Sequence, residues 1–138
     1  MAQDTRALVH ALYDAYERGD LERVAALMHD DIDWVMYAPV SVFPFAGPHR
    51  GRNAVMTALA SISKSYALLH YNREVVVVDG DRAAVMSDVS FRQHVTGRTL
   101  RFRVANFLRF ANGRLIEFRE FVDTFDVVEQ ALGRELAL

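Results

Sequence analysis

Hydrophobic positions in this chain recur every three to four residues through most of the first half and every second residue through most of the second. Leu8, Leu12 and Tyr16 fall four apart, with Val9 and Tyr13 beside them, which is the stripe of an amphipathic helix. Asp4 stands where a capping side chain is needed, and Gly19 where a helix can end in the left-handed conformation. Asp20 opens a second short helix with Leu21, Val24, Leu27 and Met28 inward, and Asp30-Asp31 closes that unit. Ile32 to Ala38 predicts a strand with Trp34 and Met36 on one face. Pro39 to Gly51 holds all three prolines and is predicted as a loop, yet Val40, Val42, Phe43 and Phe45 make it apolar enough to fold over something. Val55, Leu59, Ile62 and Tyr66 mark a third helix.

The remainder predicts strands. Leu69 to Val78 is rich in valine, whereas Ala83 to Val95, Thr99 to Phe110 and Leu115 to Asp123 alternate. Asp79-Gly80-Asp81, Thr96-Gly97-Arg98 and Asn112-Gly113 separate them, so the pattern is an antiparallel meander. Val127, Val128, Ala131 and Leu132 suggest a short closing helix. The order predicts one α+β domain over residues 1–138: a curved antiparallel sheet wrapped around three N-terminal helices, forming a cone with an apolar mouth.

Composition narrows the partners. The 138 residues are 51% hydrophobic and 25% charged, an ordinary globular balance, with a net charge of -2 and no basic block. Neither nucleic acid nor an anionic membrane is expected as a partner. There is no cysteine, hence no thiolate chemistry. The start, Met1-Ala2-Gln3-Asp4, lacks the basic and apolar segments of a secretory leader, and no apolar run approaches the roughly 20 residues that span a bilayer. A cytoplasmic location is expected. The five histidines show no metal-ligand spacing, so no metal site is expected, and without a nucleotide-binding glycine pattern no cofactor is expected.

Candidate chemistry comes from strand parity. In Thr99 to Phe110 the apolar face carries Phe102, Val104, Asn106, Leu108 and Phe110, with Asn106 its one polar member. In Leu115 to Asp123 it carries Ile116, Phe118, Glu120 and Val122, with Glu120 its one polar member. A three-residue loop Ala111-Asn112-Gly113 aligns these faces, pairing Asn106 with Phe118 and Val104 with Glu120. Glu120 and Asn106 are therefore the candidate catalytic pair. Desolvation raises the pKa of the carboxyl towards that of a general acid or base, and the amide is placed to donate to a developing oxyanion. Tyr13, Tyr16, Trp34, Met36, Phe45, Phe91, Gln93, Val104 and Phe118 fall on inward positions or in the apolar loop, and are the candidate substrate-binding residues.

Four segments resemble the SnoaL-like family: Asp30-Asp31-Ile32-Asp33-Trp34, Phe45 to Arg52, Arg109 to Arg114, and Arg119 to Asp123. The order of elements is similar to that of the wider nuclear-transport-factor-two-like superfamily, which includes ketosteroid isomerase. The resemblance implies a cone-shaped α+β barrel that dimerises through the outer face of its sheet. Ketosteroid isomerase uses an aspartate base with a tyrosine and a protonated aspartate as oxyanion donors. Register on the matching segments puts Leu12 at the tyrosine, Met36 at the base and Asn106 at the second aspartate. The resemblance thus implies a relocated base, and Glu120 is the candidate. A limonene-epoxide-hydrolase-like Asp-Arg-Asp cluster would have to use Arg103 or Arg119 with Asp88 or Asp123, which parity places on the outer faces.

Two functions remain. One is a cofactor-independent isomerase, cyclase or hydratase acting on a small apolar molecule that bears a carbonyl or hydroxyl. The other is a non-catalytic ligand-binding or dimerisation module. Phe107 and Phe121 among outward charges predict a homodimer.

Overall fold

The computed structural model describes residues 3–138. Helix α1 spans Thr5–Glu17, and the Asp4 carboxylate accepts from the Ala7 N–H at its start. It buries Val9, Leu12, Tyr13 and Ala15, while Leu8 and Tyr16 of the predicted stripe are half-buried beside them. Helix α2 is Leu21–Ala26, capped by Asp20. Strand β1 begins directly after it and spans Met28–Tyr37, so Asp30 and Asp31 lie inside a strand rather than closing the helical unit. A register break between Met28 and Asp33 leaves both acids exposed while Ile32 is buried.

The apolar loop also contains an element absent from the sequence expectation. Strand β2, Gly47–Arg50, folds back antiparallel on β1, with His49 opposite Trp34. Helix α3, Arg52–Ser65, leads into β3, Tyr66–Asp79; Tyr66 opens the strand instead of ending the helix. Strands β4 (Arg82–Gln93), β5 (Thr99–Ala111) and β6 (Arg114–Val122) complete the meander, and α4 spans Thr124–Leu132. The Asp123 carboxylate caps α4 through the Asp126 N–H. Asp123→Ala should therefore lower stability by about 1 kcal/mol, typical of a lost N-cap, and a thermal melt should show a fall of about 4 °C.

The six strands lie in the order β2-β1-β6-β5-β4-β3. The fold is the expected curved α+β cone, but the sheet is mixed and unclosed, because β1 pairs parallel with β6. A parallel neighbour needs a long crossover, and β2, α3 and the meander supply it. Two buried clusters fill the concave side. One joins α1, α2 and α3 to Val85, Leu108, Phe110 and Leu115; the other joins Phe43, Phe45 and Ala58 to Leu100 and to Val127, Val128 and Ala131 of α4. Among the described residues, no helix is long and apolar enough to cross a membrane.

The β5–β6 hairpin differs from the expected three-residue loop. Ala111 pairs with Arg114 across a two-residue turn, Asn112-Gly113, with both residues at positive φ (52° and 77°). That turn type suits the twist of a hairpin, and Asn-Gly is its preferred sequence. Phe110 then pairs with Leu115 but Arg109 with Glu117, so Ile116 is the extra residue of a β-bulge. The bulge turns Leu115 inward in place of Ile116 and brings Asn106 directly opposite Glu120, with Val104 opposite Val122.

Candidate active site

Between the two apolar clusters lies a cavity of about 120 Å³. For scale, an engineered cavity of roughly 150 Å³ holds one benzene molecule. Helices α1 to α3 form one wall, the concave sheet another, and Phe43 and Phe45 of the apolar loop close over it. The lining is largely aromatic. Trp34 and Phe118, neighbours on β1 and β6, stack with ring centroids 3.8 Å apart. Tyr66 meets Phe45 and Phe91 edge-on, and Phe91 stacks on Phe102.

Glu120 is the one carboxylate of this lining. It sits on β6 with Met36 of β1 on one side and Asn106 of β5 on the other. Asn106 is fully buried and donates from Nδ2 to Glu120 Oε1 at 3.0 Å. The Tyr13 hydroxyl in turn donates to Asn106 Oδ1 at 2.6 Å. Burial pushes the Glu120 carboxyl up to about 7, against the opposing pull of the Asn106 hydrogen bond. Burial also raises the Tyr13, Tyr16 and Tyr71 hydroxyls, and the Glu120 charge adds to each. All three phenols are therefore protonated at neutral pH and able to donate. The site combines a carboxyl that populates both protonation states near pH 7 with phenolic donors in apolar surroundings.

Of the residues singled out from the sequence, Tyr13, Tyr16, Trp34, Met36, Phe45, Phe91, Val104, Phe118 and Glu120 line this cavity. Two do not. Gln93 instead donates to the Ala131 carbonyl and the Tyr66 hydroxyl, tying β4 to α4. Asn106 lies behind Glu120 with Oδ1 and Nδ2 both engaged, so its amide serves the carboxylate and does not face a ligand.

Tyr66, Tyr71 and Phe43 are lining residues that parity did not single out. Tyr71 lies on β3, whose alternation is broken by irregularities after Leu68 and after Arg73. The signal for Phe43 was present, since a loop that apolar needs something to cover.

The arginines that a buried carboxylate would seek are engaged elsewhere. Arg103 binds Glu74 through two hydrogen bonds, and Arg101 binds Asp88 at 2.8 Å. Arg119 binds the Asp33 carboxylate at 3.1 Å and also its backbone carbonyl. With Asp123 capping α4, none of the residues for an Asp-Arg-Asp cluster reaches the cavity.

The elements thus build a curved, unclosed α+β cone around an apolar cavity with one carboxyl in its lining. The model of the SnoaL-like domain matches residues 9–118, and the chain belongs to that family. A crystal structure of a protein from Rhodopseudomonas palustris, provisionally named an isomerase, is 38% identical over 97% of this chain and 100% of that one, with a TM-score of 0.85. A provisionally named polyketide cyclase from Pseudomonas putida is 20% identical over 94% and 98% of the two chains, with a TM-score of 0.78. An epoxide hydrolase of the limonene-epoxide-hydrolase-like type from M. tuberculosis is 17% identical over 92% and 88%, with a TM-score of 0.75. These two share the fold. No curated protein matches the chain.

Proposed function

We propose that the protein is a cofactor-independent acid/base enzyme of isomerase, cyclase or hydratase type, with Glu120 moving the proton. The observation that carries this reading is a single carboxyl, raised to about 7, facing an apolar cavity. A general acid or base works best when its pKa lies near the operating pH. The similarity to the Rhodopseudomonas palustris protein points the same way. The ligand is a small, largely apolar molecule carrying a carbonyl or hydroxyl, of a size near one ring.

In this reading Glu120 removes a proton beside the carbonyl and returns it to another position. The growing negative charge on oxygen needs a donor, and Asn106 is already engaged. Tyr16 lines the same cavity, and its hydroxyl has no protein partner among the described residues. The phenol of Tyr16 is therefore the donor assigned here. Turnover of compact cyclic ketones and enols by the wild-type protein and by Glu120→Gln tests the reading, and equal rates would end it. Binding without conversion would instead mark a ligand-binding module, the reading that Leu12 and Met36 favour.

A homodimer belongs to the same proposal. Phe107, Phe121 and Tyr37 form a continuous aromatic patch on the convex face of the sheet, each about half exposed. A two-fold axis would place the patch against its own copy. Light scattering should give twice the 15.7 kDa chain mass, and Phe121→Glu should return it to one chain. A wild-type monomer at working concentration would exclude the dimer.

A further inference from the structure

Glu120 has two oxygens in different surroundings. Oε1 accepts from Asn106 Nδ2, whereas Oε2 has no hydrogen-bond partner among the described residues and keeps access to the cavity. An asparagine amide can present either end to its neighbours, and the two ends have opposite effects on a carboxyl. Nδ2 donates and favours the anion; Oδ1 accepts and favours the protonated acid. What decides between them here is the group on the far side of the amide, the Tyr13 hydroxyl, 2.6 Å from Oδ1: a phenol can also accept, but with the amide turned its own proton would have no acceptor among the described residues.

We propose that Tyr13 is a positioning residue that locks the Asn106 amide with Nδ2 towards Glu120, so that the carboxyl is held against protonation at Oε1 and exchanges its proton through Oε2, the oxygen open to the cavity.

The lock rests on geometry from four elements. Tyr13 is fixed on α1 with its ring against Tyr71 and under the Arg73 guanidinium, which lies 5.8 Å from the ring centroid. Arg73, on β3, is itself anchored to His10 and Asp14 of α1. Asn106 is held in the centre of β5, without solvent contact. Glu120 on β6 receives the amide across the non-local pair that the Ile116 bulge creates. The titratable groups near the carboxyl are Tyr13 and Tyr16 of α1 and Tyr71 of β3, with Arg73 beyond Tyr13. Strand β1 offers Met36, which does not titrate, and β4 offers the buried Ser87 hydroxyl near Tyr71. Among the described residues, no acidic or basic side chain touches Glu120, so the orientation of one amide is the largest polar influence on it. Because burial keeps Tyr13 protonated, its hydroxyl remains a donor throughout the range in which Glu120 titrates.

This assignment rests on Glu120 as the working carboxyl, so it is tested by a measurement that does not need turnover. The Glu120 side-chain carbon is followed through a pH titration by ¹³C NMR and assigned by its loss in Glu120→Gln. Tyr13→Phe removes the hydroxyl and frees the amide to turn. The Glu120 midpoint is then expected to rise by about one pH unit, a tenfold gain in proton affinity, of the order of one charge-assisted hydrogen bond. Asn106→Leu should raise it as well, and adding Tyr13→Phe to Asn106→Leu should change nothing further. An unmoved midpoint in Tyr13→Phe overturns the lock, as does an equal shift with and without Asn106. Should Asn106→Leu not fold, the Asn106 side-chain NH₂ signals decide. They should follow the Glu120 titration in the wild type and lose that dependence in Tyr13→Phe; retained dependence overturns the proposal. Full turnover in Glu120→Gln removes the catalytic reading while leaving the lock to stand or fall on these spectra.

Discussion

Replacing Glu120 by glutamine is expected to lower kcat by about 10²–10⁴-fold, the usual contribution of a positioned general acid or base. Glutamine fits the same space and can still accept from Asn106 Nδ2 through its side-chain oxygen. The 3.0 Å contact and the wall of the cavity should therefore survive, and substrate affinity should change little. What is lost is the exchangeable proton. In the wild type, kcat/KM should change through a midpoint near 7, where the carboxyl titrates, and this inflexion should be missing from the residual activity of the variant. Its sense identifies the first step: a rise with pH means that Glu120 begins as a base, a fall that it begins as an acid. An unchanged profile in Glu120→Gln would assign the chemistry elsewhere.

The same carboxyl should make the wild-type protein less stable as pH rises. Its ordinary value is 4.5, and burial in the folded state takes it to about 7. Between these values the folded chain holds a proton that the unfolded chain has released, so the unfolded state binds fewer protons and stability falls with pH. The contribution is fully present below 4.5 and has gone above about 7. At roughly 1.4 kcal/mol per tenfold change in proton affinity, the rise from 4.5 to about 7 amounts to about 3–4 kcal/mol.

Glu120→Gln carries no such proton. The difference in unfolding free energy between the two proteins should thus open by about that amount between pH 4.5 and 8, in favour of the variant at the alkaline end. Asp14, Glu74 and Asp88 contribute with the opposite sign and lower down, because Arg73, Arg103 and Arg101 respectively hold them below the ordinary carboxylate range. Those contributions are common to both proteins and cancel in the comparison. Denaturant melts at several pH values measure it, and a constant difference would mean that Glu120 is solvated.

The pairing of a stability cost with the proposed catalytic carboxyl has one physical cause. A carboxylate in water titrates too low to hold a proton at neutral pH. Removing it from water raises its proton affinity and, by the same interaction, penalises the folded state that keeps it ionised. Asn106 limits that penalty with one hydrogen bond, which is why the structure can place Glu120 against Met36 and aromatic rings without an arginine beside it.

Much of this arrangement is visible in one dimension. The helical stripe of α1, the caps Asp4 and Asp20, the alternation of β4 and β5, and the inward positions of Asn106 and Glu120 follow from local periodicity and hydrogen-bonding chemistry. So does the apolar character of the loop that carries Phe43 and Phe45. Each concerns residues a few positions apart, where a side chain's direction is set by its own backbone.

Tertiary structure decided the rest. Leu115 and Ile116 are both apolar, so the pattern cannot tell which of them faces inward, and the bulge that settles it also fixes Asn106 against Glu120. The parallel pairing of β1 with β6 and the return of β2 onto β1 join segments whose individual patterns carry no record of their neighbour. Strand parity turns the amides of Gln93 and Asn106 towards the cavity, because an inward polar group has no visible partner in a sequence. In the fold, one is taken by α4 and Tyr66, the other by Tyr13 and Glu120. Periodicity determines which face a residue occupies; only the packing of distant strands and helices determines what that residue meets there.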